Sequence, residues 1–229
     1  EEDYGKAKDH AIEFAEISVQ WMSSYMLIRL IENGRIINKY HEKLFNVVNK
    51  IDNKRPLSFG DWVNDIFTPL SHAMFEDLAD DEFTKSLAKN LFKNKVTILL
   101  GSKKEPSVVK IRNDYKAHAT TLSSDIYRGV VYTLEPLIIS LLEATEPLHK
   151  YEYISHIIDG DGNSKYLSLS GTKTTTTEAI DGIEPNHYYV IEHSENGDKL
   201  HDIFPLIHCS DEGYVYVFQS LDTDVWYDS

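Results

Sequence analysis

The sequence predicts an α+β protein in which a helical bundle precedes a small antiparallel β module. Up to about residue 150, apolar residues recur at helical spacing, whereas beyond Pro147 short alternating runs are separated by turns. The charge balance changes at the same place. Residues 1–150 carry 20 Lys and Arg against 22 Asp and Glu, and residues 151–229 carry 3 Lys against 15 Asp and Glu. We therefore expect a bundle over residues 1–150 and an acidic β module over residues 151–229.

Apolar residues that return every three or four positions predict the helices of the first part. Residues that favour helix termini mark several of their ends. Asn33-Gly34 stops the first helix, Ser58 with Asp61 caps the third, and Pro106 opens the fifth. The predicted helices are, in chain order, residues 11–31, 36–51, 58–74, 80 or 81 to 92, 106–122 and 125–142.

Two prolines and one apolar run leave local details of the bundle open. Pro69 lies within the third helix and Pro136 within the sixth, where a proline removes a hydrogen bond and kinks or splits a helix. The run from Val96 to Leu100 fits either a helix or a buried strand, because periodicity alone does not separate the two in so short a segment.

Strands are predicted where short runs rich in Tyr, Ile and Val lie between turn residues. Asp181-Gly182, Asn196-Gly197 and Glu212-Gly213 are typical turn pairs. The predicted strands are residues 151–158, 166–169, 188–191, 203–208, 214–218 and 225–227, and Thr174–Thr177 is expected to be an exposed β stretch.

The composition excludes several classes of protein. With 41% hydrophobic and 26% charged residues, the chain is neither disordered nor fibrous, and no apolar run approaches the ~18 to 20 residues of a membrane span. The single Cys209 excludes an internal disulfide, and no signal peptide is visible, so we expect a cytoplasmic protein. The net charge of -14 disfavours coating of nucleic acid by bulk attraction.

One segment departs from this acidity and carries candidate chemistry. From Lys103 to His118 five Lys and Arg residues face two acidic ones, a local net charge of +3. On a helix, Arg112 and Asn113 lie away from the apolar face, and so does His118. Arg112 and His118 are ~120° apart around the axis and ~9 Å apart along it. A symmetric pair of such helices would bring Arg112 of one copy and His118 of the other to one phosphate more easily than a single copy.

These residue types suit cleavage of RNA without a metal. An imidazole moves protons near neutral pH, and a guanidinium stabilises the charge that develops on a pentavalent phosphate. The spacing alone is also compatible with a solvated Arg112 and a capping or core His118, which is the more frequent arrangement for such a pair on a helix.

The run "IRNDYKAHA" and the helix ending "LEPLIISLLEA" that follows it resemble the HEPN superfamily. Its ribonuclease motif is an Arg, usually followed by a polar residue such as Asn, and a His four to six residues further along. Arg112, Asn113 and His118 fit that motif. The later pieces "HYYVIEHSENGDKLHDIFPLIHC" and "GYVYVFQSLDTDVWYDS" resemble the short β tail attached to HEPN modules in bacterial defence and signalling proteins. The family's His is often followed by Gly, whereas Ala119 follows it here.

This resemblance implies a homodimer with the helix from Pro106 to Leu122 at its two-fold interface, and RNA cleavage by a toxin or antiviral-defence protein. His118 would be the general acid or base, Arg112 would stabilise the transition state, and Asn113 would position the phosphate or the partner His. Lys110 and Lys116 are the expected RNA-binding residues, and no cofactor is expected.

The main alternative is a non-catalytic HEPN-like module that dimerises, or that serves as a sensor for an upstream domain or a regulatory protein partner. Inactive copies used for binding occur in the family, and the acidity of the chain is compatible with this role.

A metal site is not expected. Cys209 has only His201 and His208 as potential zinc ligands nearby, whereas a zinc site requires four ligands, usually with paired spacing. Cys209 is expected to be a small residue within a strand.

Overall fold

A computed structural model gives the fold of this chain. It describes residues 3–34, 57–93, 96–115, 123–158, 161–168, 175–185, 187–193, 197–203, 207–209, 215–217 and 227–228, the last three as backbone only. The predicted helix over residues 36–51 lies outside this part.

The described helices form a bundle that precedes the main sheet, so the α+β class is confirmed. In chain order they are α1 (Tyr4–Glu32), α2 (residues 59–77), α3 (Glu82–Asn90), α4 (Val108–Tyr115) and α5 (Ser124–Thr145), followed by a 3₁₀ turn (Glu146–Lys150). None of the helices in the described part combines the length and the apolar character that crossing a membrane requires.

Helix α1 is the central element of the bundle. It ends at Asn33, and Gly34 follows with a φ of 66°, as the Asn-Gly pair predicts. Its buried positions extend around most of the helix, because α2, α4 and α5 all pack against it. The buried residues of α1 are Lys8, Ile12, Ala15, Val19, Met22, Ser23, Ser24, Tyr25, Met26, Ile28 and Leu30.

Helix α2 begins with the predicted capping box and adapts to its proline. The Asp61 amide donates to Ser58 Oγ at 3.2 Å, and the Ser58 amide donates to Asp61 Oδ2 at 2.9 Å. Between Phe59–Asp61 and Thr68–Asp77 the turns widen into a π-helix over Trp62–Phe67. Pro69 lies two residues after Phe67. Because a proline has no amide hydrogen and its ring clashes with the carbonyl four residues earlier, we attribute the wider turns to it.

Between α3 and α4 one prediction needs correction and one open alternative is resolved. Helix α3 begins after Asp81, whose carboxylate accepts from the Thr84 amide at 2.9 Å, but it ends at Asn90. The prediction that it continues through Phe92 is wrong, because Phe92–Lys93 is β1 and pairs with β2, Val96–Thr97. The pairing resolves the open alternative at Val96 in favour of a strand, followed by a turn.

The main sheet is antiparallel and has five strands in the order β5-β4-β3-β6-β7. A separate three-stranded sheet has the order β10-β9-β8. The strands are β3 (Glu152–Ile158), β4 (Ser164–Ser168), β5 (Thr175–Thr177), β6 (Tyr188–Glu192), β7 (Lys199–Asp202), β8 (Ile207–Cys209), β9 (Val215–Val217) and β10 (Tyr227–Asp228).

One strand was misplaced by the sequence pattern. The run from Ile203 to His208 was expected to be one strand, but Lys199–Asp202 pairs with β6, and a new strand starts at Ile207. The residues of β7 are mostly polar because the strand lies at the edge of the sheet, where one side is open to solvent.

The hydrophobic core crosses the boundary near residue 150. Along β6 the side chains alternate, so that Tyr188 and Val190 join the core of the bundle, whereas Tyr189 and Ile191 face a smaller cluster with Ile154. Ile203, which is 1% exposed, also belongs to the bundle's core. The five-stranded sheet therefore packs directly on the helices.

Candidate functional site

Helix α4 carries the predicted motif, and the loop before it fixes where it starts. Ser107 Oγ accepts from the Lys110 amide at 3.1 Å, and the Leu99 carbonyl accepts from the Val109 amide at 3.1 Å. Gly101 has a φ of 63°, and a Cβ there would lie 2.6 Å from the Cβ of Ser107. Only glycine permits this close approach, which positions the first turn of α4.

The apolar face of α4 packs as the helical spacing predicts. Val108 is 1% exposed and Ile111 is 7% exposed, and Tyr115 packs against the same core. This packing turns Arg112 toward the side of α4 that lies next to α1. Asn113 and Lys110 are exposed.

Arg112 is held by an acidic residue that the motif did not indicate. Its Nε donates to Glu16 Oε1 of α1 at 2.8 Å, and the two side chains are 26% and 20% exposed. Its Nη1 also lies 3.4 Å from Asn113 Oδ1. A guanidinium has five N–H donors, so these two contacts leave most of its capacity for an anionic ligand. The ion pair fixes the direction of the Arg112 side chain.

The last described residue of α4 is held to α1 by a buried lysine. Lys8 Nζ donates to the Tyr115 carbonyl at 3.2 Å, lies 3.1 Å from Asp9 Oδ1 and sits 4.8 Å from the centre of the Tyr127 ring. Lys8 and Glu16 therefore connect two positions of α4 to one helix.

The structure brings together part of the predicted site. Arg112 and Asn113 are adjacent, and Lys110 lies on the exposed side of the same helix. His118 and Lys116 lie outside the described residues. The sequence analysis missed Glu16. The signal that could have indicated it is that an acidic residue stands within the largely apolar first helix.

A second polar cluster lies where α1 meets α3 and the sheet. Arg29 Nη1 donates to Glu192 Oε2 of β6 at 2.8 Å, and Arg29 Nη2 donates to Asp81 Oδ1 at 3.3 Å. Asp81 is also the N-cap of α3. Arg29 thus joins the end of α1, the start of α3 and the sheet, and we call these residues, with Glu32 and His201, the junction cluster.

His201 of β7 completes the junction cluster. Its side chain is 0% exposed, with Nδ1 2.7 Å from Glu32 Oε2 and Nε2 3.1 Å from Glu192 Oε2. Burial raises the pKa of Glu32 and of Glu192, but the hydrogen bonds to His201 lower both. Lys199 lowers the pKa of Glu32 further, and Arg29 lowers that of Glu192. The pKa of both carboxyls lies below the usual 4.5.

A cleft of about 500 Å³ opens beside the N-terminal end of α4. Pro106 and Pro136 both line it, which places the start of α4 next to the middle of α5. Its charged lining consists of Lys89, Lys93, Glu105 and Glu143, so neither sign dominates. Arg112 is not part of this lining, and the cleft is separate from the predicted motif.

No group of three or more His, Cys, Asp and Glu side chains in the described part of the chain is arranged to hold a metal ion. In particular, the carboxylates of Glu32 and Glu192 occupy both ring nitrogens of His201.

Comparison of the chain with protein-family models, curated proteins and solved structures returns no match.

Proposed function

We propose that this chain is a metal-independent RNA endonuclease of the HEPN type, acting in antiviral defence or as a toxin in the cytoplasm. The observation that supports it is the ion pair of Arg112 with Glu16, which orients a guanidinium within the segment that resembles the ribonuclease motif. No cofactor takes part in the proposed reaction.

The reaction uses the RNA's own 2′-hydroxyl as the nucleophile. His118 accepts the proton of that hydroxyl, or donates a proton to the leaving 5′-oxygen, and a second His118 takes the complementary part. Arg112 stabilises the charge on the pentavalent phosphate, and Asn113 positions the phosphate or the partner His. Lys110 and Lys116 bind the neighbouring phosphates. The products are a 2′,3′-cyclic phosphate and a 5′-hydroxyl end.

The need for two proton-transfer groups favours a homodimer, in which the copies meet close to the helix that carries the motif. The separation of Arg112 and His118 along an ideal helix, ~9 Å, supports a site composed from two copies. RNA is the proposed substrate, and an upstream domain or a regulatory partner would control access to it.

The test is cleavage of a labelled RNA by the purified chain in the presence of EDTA. Arg112→Ala and His118→Ala should each lower the rate by a factor on the order of 10² to 10⁴. His10→Ala is the matched control, because this histidine lies on the exposed side of α1 and contacts only Glu13 among the described ion pairs. Cleavage that persists in both variants would contradict the proposal.

A second function, that of a non-catalytic dimerisation or sensor module, is favoured by the same ion pair, because Glu16 neutralises the charge that an RNA phosphate would need. The two functions differ in what Arg112→Ala changes. In either role its loss removes the ion pair with Glu16 and lowers the stability of the α1–α4 contact. Only in a catalytic role does it also lower the cleavage rate of the chain while that chain remains folded. Thermal unfolding measured beside the cleavage assay separates them.

A further inference from the structure

The cleft beside the N-terminal end of α4 has the size of a small-molecule site. Its volume of about 500 Å³ falls within the usual range of ligand pockets and far exceeds the space of a few water molecules. Four segments of the chain line it: the end of α3, the β1–β2 hairpin, the loop before α4, and α5. We call it the α3–α5 cleft.

The apolar part of the wall is aliphatic. None of the described residues that line the cleft is aromatic, so it offers no ring face on which a nucleobase or another planar ligand would stack. Aliphatic side chains favour a ligand whose own body is aliphatic, because contact between the two removes apolar surface from water. The apolar lining residues are Val96, Ile98, Pro106, Pro136 and Leu137.

Charged groups of both signs line the cleft in equal number. Lys89 and Lys93 supply two cations, and Glu105 and Glu143 supply two carboxylates. None of these four charged groups forms an ion pair or a hydrogen bond with another described residue. Elsewhere in the described part, exposed lysines do pair with carboxylates, as in Lys6, Lys85, Lys150 and Lys199. The cleft therefore offers unpaired charges of both signs to one ligand.

Hydrogen bonds hold the walls of the cleft in place without a ligand. Ser86 Oγ donates to the Glu143 carbonyl at 3.0 Å, which joins α3 to α5. The Gly101 amide donates to the Thr97 carbonyl at 2.8 Å, which ties the loop before α4 to β2. A preformed cleft loses little conformational entropy when it takes up a ligand.

A polar side chain in the wall suits a peptide group. Asn90 Nδ2 donates to Ser86 Oγ at 3.2 Å, and this contact directs the amide of the side chain. Asn90 Oδ1 is left to accept a hydrogen bond, and a peptide N–H is a donor of the matching kind. The lining thus combines an acceptor for a peptide group, an aliphatic wall and charges of both signs.

We infer that the α3–α5 cleft binds a small zwitterionic peptide, a free dipeptide with aliphatic side chains. Its ammonium group pairs with the carboxylates of the cleft, its carboxylate pairs with the lysines, and its side chains pack on the aliphatic wall. A ligand of one charge would leave the opposite pair unused. The inference goes beyond the proposed function and does not depend on cleavage of RNA, because binding is measured without RNA.

Titration of the whole chain, labelled with ¹⁵N, with leucyl-leucine tests the inference by nuclear magnetic resonance. We expect a dissociation constant of about 1 mM or below, with shifts of the Gly101 and Ser140 amide signals. An absence of shifts at about 10 mM, or shifts confined to residues away from the cleft, would refute the inference.

Capped peptides test the need for both charges. N-acetyl-leucyl-leucine lacks the ammonium group and leucyl-leucine amide lacks the carboxylate, so each should bind at least about tenfold more weakly. Each also stands for one terminus of a larger protein, which carries only one of the two charges. A capped peptide that binds as tightly as leucyl-leucine would overturn the assignment of a free zwitterion.

Paired substitutions connect each charge of the peptide to its side of the cleft. Lys89→Met/Lys93→Met should weaken binding about tenfold and abolish the preference for leucyl-leucine over its amide. Glu105→Gln/Glu143→Gln should do the same for the preference over the acetylated peptide. These positions are exposed, so circular dichroism should show an unchanged fold.

Lys103→Met/Lys104→Met is the matched control, since both lysines are exposed and neither lines the cleft. It should leave the affinity for leucyl-leucine unchanged. Ser140→Phe should abolish binding, because the larger ring occupies the cleft. Full affinity in the two cleft variants, or an equal loss in the control, would contradict the proposed site.

Discussion

Arg112 and Glu16 form the contact on which the candidate ribonuclease site depends, and each is more than 70% buried in its side chain. An arginine with a fixed direction loses less entropy when it binds a phosphate, because its rotamer is already selected. In the proposed reaction Glu16 would therefore be a positioning residue, one that acts through Arg112.

Glu16→Gln keeps the shape of this contact and removes its charge. We expect the cleavage rate to fall by a factor of about 10, with a smaller change in KM, because the substrate still binds while Arg112 is less well oriented. In an Arg112→Ala background the same substitution should have no further effect. Kinetics of the two single variants and the double variant measure this, and additive losses would mean that Glu16 acts independently of Arg112.

Glu32 and Glu192 predict how stability responds to acid. Their carboxylates have a folded-state pKa below the usual 4.5, so they bind fewer protons in the folded protein than in the unfolded chain. Their stabilising contribution is present above pH 4.5 and is lost as the pH falls through the lowered folded value.

Urea denaturation between pH 6 and pH 3 should therefore show a falling midpoint, and this fall should be smaller in a Glu32→Gln/Glu192→Gln variant. Glu76→Gln/Asp77→Asn serves as a control pair, since both residues are exposed at the end of α2. An equal fall in both double variants would place the acid sensitivity elsewhere in the chain.

The junction cluster links three elements through Arg29, which is 13% exposed in its side chain. Arg29→Met removes the charge but keeps much of the buried stem, and it leaves Asp81 and Glu192 without their shared cation. We expect the free energy of unfolding to fall by about 2 to 3 kcal/mol, less than for a fully buried pair because the carboxylates reach solvent.

Lys85→Met is the matched control, because it removes a lysine of α3 that pairs with Asp80 at an exposed position. It should change the free energy of unfolding by less than about 0.5 kcal/mol. Denaturation with guanidinium chloride compares the two variants. Equal losses would mean that the junction cluster does not hold α1, α3 and the sheet together.

The whole molecule has a core that the charge boundary does not divide. Tyr188, Val190 and Ile203 are at most 5% exposed and complete the core of the helices. Removing residues 151–229 would expose this surface. The isolated residues 1–150 should therefore lack fixed tertiary packing, with near-ultraviolet circular dichroism lost and a hydrophobic dye bound.

The full chain should accordingly unfold in a single transition in calorimetry. Val190→Ala should lower its free energy of unfolding by about 2 kcal/mol, as expected for loss of buried apolar groups with a residual cavity. A native-like fragment of residues 1–150, or two separate transitions in the full chain, would show that the bundle and the sheet fold independently.

The sequence by itself determined the order of helices and strands and several of their ends. The capping box of Ser58 and Asp61, the stop at Asn33-Gly34 and the alternation along β6 are local, because each depends on hydrogen bonds or side-chain directions within a few residues. Local rules failed at Phe92, where pairing with the following strand ended the helix. They also failed at β7, whose polar residues form a strand only because they pair with β6.

Only the tertiary structure decided what surrounds the motif and what joins the two parts of the chain. Glu16 and Arg112 are 96 residues apart, and Glu32 and His201 are 169 apart, so no periodicity connects them. Which carboxylate meets which cation depends on how the helices and the sheet pack. That packing is set by the apolar core, which brings α1 against both α4 and the sheet.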